Sequence, residues 1–131
     1  MTPAMHQIGE VAEAVGLSLR TIRYYDEVGI VVPSGRSAGG FRLYTDADIE
    51  RLRFVKDLKP LEFTLDEIRT LLETIDEIAD AITDRAHTAD RLTAFAELGQ
   101  QRCVELRAQL QAAERVVDAI QAHTRAHAPS S

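Results

Sequence analysis

Apolar residues near the amino terminus recur at helical spacing. Ile8, Val11, Ala12, Val15 and Leu17 are interrupted by Glu10 and Glu13, which predicts a short amphipathic helix with Gly16 as the turn after it. A second helix is expected over Leu17 to Gly29, with Ser18 as its N-cap and Gly29 as a left-handed terminator. Leu19, Ile22 and Val28 can turn inward there, leaving Arg20, Arg23 and Tyr24 as neighbours on the other side. Ile30-Val31-Val32 and Phe41-Arg42-Leu43-Tyr44 then flank Pro33 and a Gly/Ser loop, and read as a β-hairpin. Alternation puts Phe41 and Leu43 on its inner face and Arg42 and Tyr44 on its outer one.

Thr45 is placed to cap a further helix with the stripe Ile49, Leu52, Phe54, Val55 and Leu58. Pro60 stops it, and a Thr64/Glu67 capping box restarts the chain as a helix bearing Ile68, Leu71, Leu72 and Ile75. Residues 76–90 are acidic and too sparsely apolar for a separate core, and read as a helical connection. Leu92, Ala96, Gly99, Cys103, Leu106, Leu110, Ala113, Val117 and Ile120 then alternate steps of four and three residues, the seam of a coiled coil. A helix of about 30 residues spans on the order of 45 Å, more than a domain of this size can cover, which favours a second copy as the partner. The expected organisation is mainly α: a helical domain with one β-hairpin over 1–75, a helical connection over 76–90, a dimerisation helix over 91–124 and a frayed tail over 125–131.

The chain has 131 residues and a net charge of −6, but residues 1–60 carry eight Lys/Arg against eight Asp/Glu, so the whole excess lies in the second half. An acidic total argues against nucleic acid only superficially, because the local distribution of charge decides phosphate contact. The basic residues of the front half bunch where helix, short Gly turn and second helix form a helix-turn-helix pattern, with the hairpin after it as a wing carrying Arg36 and Arg42. Guanidinium groups pair bidentately with phosphates and base edges. Lys56 and Lys59, beside the Pro60 break, are placed to reach a DNA backbone. A helical hairpin without a DNA role fits the same spacing.

Cys103 is the lone cysteine, which excludes an intrachain disulfide and a multi-cysteine zinc site within one chain. No metal is expected at His123 and His127, which share a helix face but have no third ligand nearby. No catalytic residue and no cofactor are expected, since the chain has no nucleophile-base pair and no phosphate loop. Without a spanning segment or signal peptide, a cytoplasmic protein that does not engage a membrane is expected.

Taken together, Ile8-Gly9-Glu10-Val11-Ala12, Gly16-Leu17, Arg20-Thr21-Ile22-Arg23-Tyr24-Tyr25-Asp26, Gly29, Pro33, Arg36, Gly40-Phe41-Arg42-Leu43-Tyr44 and Phe63-Thr64-Leu65-Asp66-Glu67-Ile68 resemble the MerR family of bacterial transcription regulators. The resemblance implies a homodimer with a winged helix-turn-helix at each end of an antiparallel coiled coil. It implies a palindromic site in double-stranded promoter DNA, which the dimer distorts so that RNA polymerase engages both promoter elements. Arg20, Arg23 and Tyr24 would then lie in or beside the major groove, Arg36 and Arg42 would be wing contacts, and Tyr44 would support or touch the backbone; Ser18, Thr21 and Lys59 complete the expected set of DNA-binding residues. Phe41 stands where the family has Tyr, and Glu62 stands in place of a glycine, so a different local turn is expected there.

The effector is open at this point. Leu92 falls where metal-sensing members that resemble this chain place a cysteine, which speaks against a thiolate site. Two routes are kept: a redox or electrophile effector acting at Cys103, against which stands simple packing in the seam, and a small organic ligand lodged near Leu71, Ile75, Ile78 and Phe95. The alternative to a ligand-sensing regulator is an architectural or antirepressor-type interaction module built on the same winged domain.

Overall fold

Helices α1 (Ile8–Val15) and α2 (Leu19–Glu27) form the pair that the apolar spacing predicts. They belong to a computed structural model that describes residues 4–80, 85–127 and 129. Gly16 joins the two at φ +77°, its N–H bonded to Ala12 O at 2.8 Å. A side chain at that left-handed position would be strained, and its Cβ would meet Lys56 Nζ at 2.9 Å. Val11 and Ile22 are fully buried, whereas Leu19, expected inward, is 39% exposed. The helix begins at Leu19, and its buried stripe runs through Ile22 instead.

Three short strands make one antiparallel sheet: β1 (His6–Gln7), β2 (Gly35–Arg36) and β3 (Arg42–Tyr44), in the order β1-β3-β2. His6 pairs with Tyr44, Gln7 with Leu43, Gly35 with Leu43 and Arg36 with Arg42. The predicted hairpin needs two corrections. Ile30–Val32 is not a strand, because the N–H groups of Ile30 and Val31 both bond Tyr25 O, at 2.8 and 3.3 Å, and wrap the chain around the end of α2. The facing also differs at both ends of the run: Tyr44 is fully buried and Phe41 is 68% exposed, while Arg42 and Leu43 are both half-buried. Phe41 belongs to the turn, where Ser37 N donates to Phe41 O at 2.9 Å and Phe41 N donates to Ser37 Oγ at 3.1 Å.

Helix α3 (Asp46–Asp57) starts in a reciprocal capping box of Thr45 and Asp48 and buries Ile49, Leu52 and Val55. Phe54, assigned to that stripe by the pattern, is 39% exposed. Lys56 Nζ donates to Val15 O at 2.8 Å and Arg53 to Ala14 O at 3.2 Å, satisfying carbonyls that the end of α1 leaves open. After a 3₁₀ turn at Lys59–Leu61, Glu62 adopts φ +55° and ψ +35°, so the left-handed link persists without a glycine. Helix α4 (Leu65–Asp80) opens with the expected Thr64–Glu67 box. It is tied back by Arg69 to Val28 O at 2.5 Å, and by two bonds from Arg51 to Asp76 at 2.8 and 2.7 Å.

The chain divides into two units, residues 1–85 and 86–131. Helix α5 (Arg85–Ala126) has 42 residues and a length of about 63 Å. It begins before the predicted position 91 and continues past 124, so the connection assigned to 76–90 is divided between the end of α4 and the start of α5. Residues 81–84 of that connection, residues 1–3 of the first domain, and residues 128, 130 and 131 of the predicted tail lie outside the described residues. Along α5, Val104, Leu106, Leu110, Val116, Val117 and Ile120 are 37 to 59% exposed. Among the described residues, no helix is long and apolar enough to cross a membrane.

Candidate nucleic-acid interface

The start of α2 is fixed by its own residues. Ser18 Oγ accepts the Thr21 N–H at 3.0 Å and lies 2.9 Å from the Thr21 hydroxyl, so both predicted contact residues are engaged in a cap. Past that cap, Arg20, Arg23 and Tyr24 are exposed on one face. Neither arginine has a hydrogen bond or ion pair among the described residues, which leaves their donors available to an outside acceptor. Tyr25 sits half-buried behind Tyr24, with ring centroids 6.1 Å apart, and burial, with a smaller push from Tyr24, raises its phenol above the ordinary range.

The wing arginines are differently placed. Asp26, near the end of α2, holds both through one oxygen: Arg42 Nε donates to Oδ2 at 2.7 Å and Arg36 Nη2 at 3.5 Å. Arg36 Nη1 also reaches Gly40 O at 3.4 Å. The side chains of Asp26, Arg42 and Arg36 are 13, 25 and 51% exposed. The Asp26 hydrogen bond holds the Arg42 guanidinium still more firmly protonated. Lys59 is exposed, whereas Lys56, weighed beside it, is occupied by Val15 O.

Tyr44 requires a correction as a surface contact. It is fully buried and its hydroxyl has no hydrogen-bond partner among the described residues, so it supports β3 from within the core, and burial raises its phenol above the ordinary range. Two features escaped the sequence reading. Asp26 was legible in one respect, since an acid in the last turn of a helix opposes the macrodipole and calls for a nearby cation. The exposure of Phe41 was signalled by Gly39-Gly40 immediately before it, which assigns it to a turn.

The residues weighed for an effector are distributed over both units. On α4, Leu71 is buried and Ile75 and Ile78 are half-buried; on α5, Phe95 and the free thiol of Cys103 are half-buried. Of the seam positions, Gly99 is buried, Leu92 is half-buried, and Ala96, Leu106, Leu110, Ala113, Val117 and Ile120 are exposed. His127 Nδ1 lies 3.0 Å from His123 O, a local contact within one helix.

A family model described as MerR HTH family regulatory protein matches residues 7–75. The HTH-type transcriptional activator TipA of Streptomyces coelicolor is 43% identical over 82 residues, which is 63% of this chain and 30% of TipA. The chain therefore spans less than a third of that relative's length. The crystal structure of the N-terminus of the Bacillus subtilis multidrug transporter activator, MtaN, aligns with a TM-score of 0.55 at 30% identity, covering 90% of this chain and 96% of MtaN. The structure of HiNmlR, a MerR family regulator lacking the sensor domain and bound to promoter DNA, aligns with a TM-score of 0.65 at 26% identity, covering 88% and 80% of the two chains.

Proposed function

The chain belongs to the MerR helix-turn-helix regulatory family, and from that premise we propose that it is a DNA-binding transcription regulator acting as a homodimer on a palindromic promoter site. The observation that carries this reading is the exposed face of α2, where Arg20 and Arg23, three residues apart, have no partner among the described residues. A guanidinium held on a capped helix is a preorganised reader of guanine edges or phosphates. Dimerisation is supported by α5, which leaves Leu106, Leu110, Val117 and Ile120 exposed at coiled-coil spacing. A long isolated helix draws its stability from packing that such a stripe invites.

In this reading the antiparallel coiled coil sets the distance between two recognition helices. The bound dimer distorts the DNA between promoter elements so that RNA polymerase can engage both. An effector, a small molecule or a redox signal, favours the distorted complex by a few kcal/mol, enough to shift a two-state equilibrium. The protein works in the cytoplasm and catalyses no reaction. Ser18 and Thr21 hold the helix start, Arg20, Arg23 and Tyr24 contact the groove, Arg36 and Lys59 serve the flanking backbone, and Arg42, paired with Asp26 at 2.7 Å, holds the wing against the helix.

The test is selection of binding sites from a random duplex pool, followed by a salt titration of the winner. The expected result is a palindromic consensus and a steep loss of affinity with salt. Arg20→Ala or Arg23→Ala should cost about 1 to 3 kcal/mol where that arginine reads a base. A pool that yields no consensus, with both variants binding like the wild type, would overturn the reading in favour of an interaction module.

A further inference from the structure

Resting on the DNA-binding reading above, we propose that Asp26 is a specificity-determining residue: it stands in for a DNA phosphate, restraining the wing residue Arg36 until the recognition helix is seated. Arg36 and Arg42 are direct partners across the β2–β3 pair, and like charges directly opposite on neighbouring strands repel. The hairpin tolerates them because one carboxylate, 13% exposed, accepts from both. That carboxylate sits on α2, in the last turn, where a negative charge is unfavourable to the helix itself. Its placement is therefore explained by the arginines and not by the helix.

The two bonds are unequal, and this gives the arginines different parts. Arg42 approaches at 2.7 Å and is 25% exposed, so it stays on Asp26 and couples wing to helix. Arg36 is held only at 3.5 Å from Asp26 and 3.4 Å from Gly40 O, and is half exposed. It exchanges the carboxylate for a backbone phosphate when the wing meets DNA. On random DNA, losing the Asp26 contact opposes this exchange. On the selected site, the seated recognition helix brings a phosphate into reach and offsets the loss.

The experiment is a double-mutant cycle on the full-length protein with Asp26→Asn and Arg36→Ala, using mixed-sequence duplex and a duplex selected by the wild type. Asp26→Asn keeps the shape and removes the charge. It should tighten binding to mixed-sequence duplex by about two- to fivefold, the scale of a partly exposed ion pair, and change the selected duplex less. In the Arg36→Ala background the same substitution should have no such effect. Arg36→Ala alone should lower the magnitude of the salt slope by about one phosphate contact. Arg42→Ala should leave that slope unchanged and lower the melting temperature. Tightening by Asp26→Asn that persists in the Arg36→Ala background, or no tightening at all, would overturn the assignment while leaving the DNA-binding reading intact. A wild type that binds neither duplex would overturn both.

Discussion

Replacing Glu62 by glycine is predicted to stabilise the first unit. Glu62 holds φ +55° and ψ +35° between the 3₁₀ turn and α4, and its N–H bonds Lys59 O at 3.1 Å. Its side chain is exposed and has no hydrogen bond or ion pair among the described residues, so truncation removes no contact. A left-handed conformation costs a non-glycine residue roughly 1 to 2 kcal/mol. Glycine escapes that cost but gives the unfolded chain more freedom, which returns roughly 0.5 to 1 kcal/mol. The two ranges leave a net gain centred on about 0.7 kcal/mol, or about 3 to 6 °C in the melting temperature of a unit this size. Thermal unfolding followed by circular dichroism measures it, with Glu62→Ala as the control that keeps the strain and loses the side chain. A melting temperature for Glu62→Gly at or below that of Glu62→Ala would refute the strain and, with it, the left-handed geometry of the link.

Gly16→Ala should destabilise by about 1 to 2 kcal/mol, because the new Cβ occupies left-handed backbone and pushes on Lys56 Nζ, 2.9 Å away; chemical denaturation measures the loss. His6 lies 3.0 Å from Glu10 and 2.7 Å from Asp46, and hydrogen bonds to Glu10 and then Asp46 raise its native pKa above 6.5. Its contribution to stability is thus full below the ordinary value and is lost as pH rises through the raised one; His6→Gln should flatten melting temperature against pH across that window. The Arg51 hydrogen bonds hold the Asp76 carboxyl below the ordinary value of 3.8, so this contribution is present above 3.8 and is lost as pH falls through the native pKa. Both side chains are partly exposed, at 30 and 49%, so Asp76→Asn should cost no more than about 1 kcal/mol, and less in high salt.

Helices α1 to α4 were legible because their signals are local and dense. Ser18, Thr45 and Thr64 cap where the pattern placed them, and Gly29 terminates with φ +73°. The wing was less legible because its strands have two or three residues, too few for alternation to establish which side is inner. The pairing of His6 with Tyr44 and of Gln7 with Leu43 adds β1 to the sheet, and no periodicity announces a two-residue strand. Asp26 was hidden for another reason. An ion pair 16 residues apart in sequence, to Arg42, exists only once helix and hairpin are placed.

That long-range bond changes what the recognition helix is. Cap and spacing describe α2 as a local object with arginines on one face, but its far end is fixed from two directions. Arg69 of α4 donates to Val28 O at 2.5 Å, and Asp26 is held by the wing. The near end is fixed by Ser18. A helix restrained at both ends loses little freedom on binding, so in the proposed complex Arg20 and Arg23 would meet a groove without first ordering their backbone. Arg69 and Arg42 therefore tie the carboxyl end of α2 to α4 and to β3 at once.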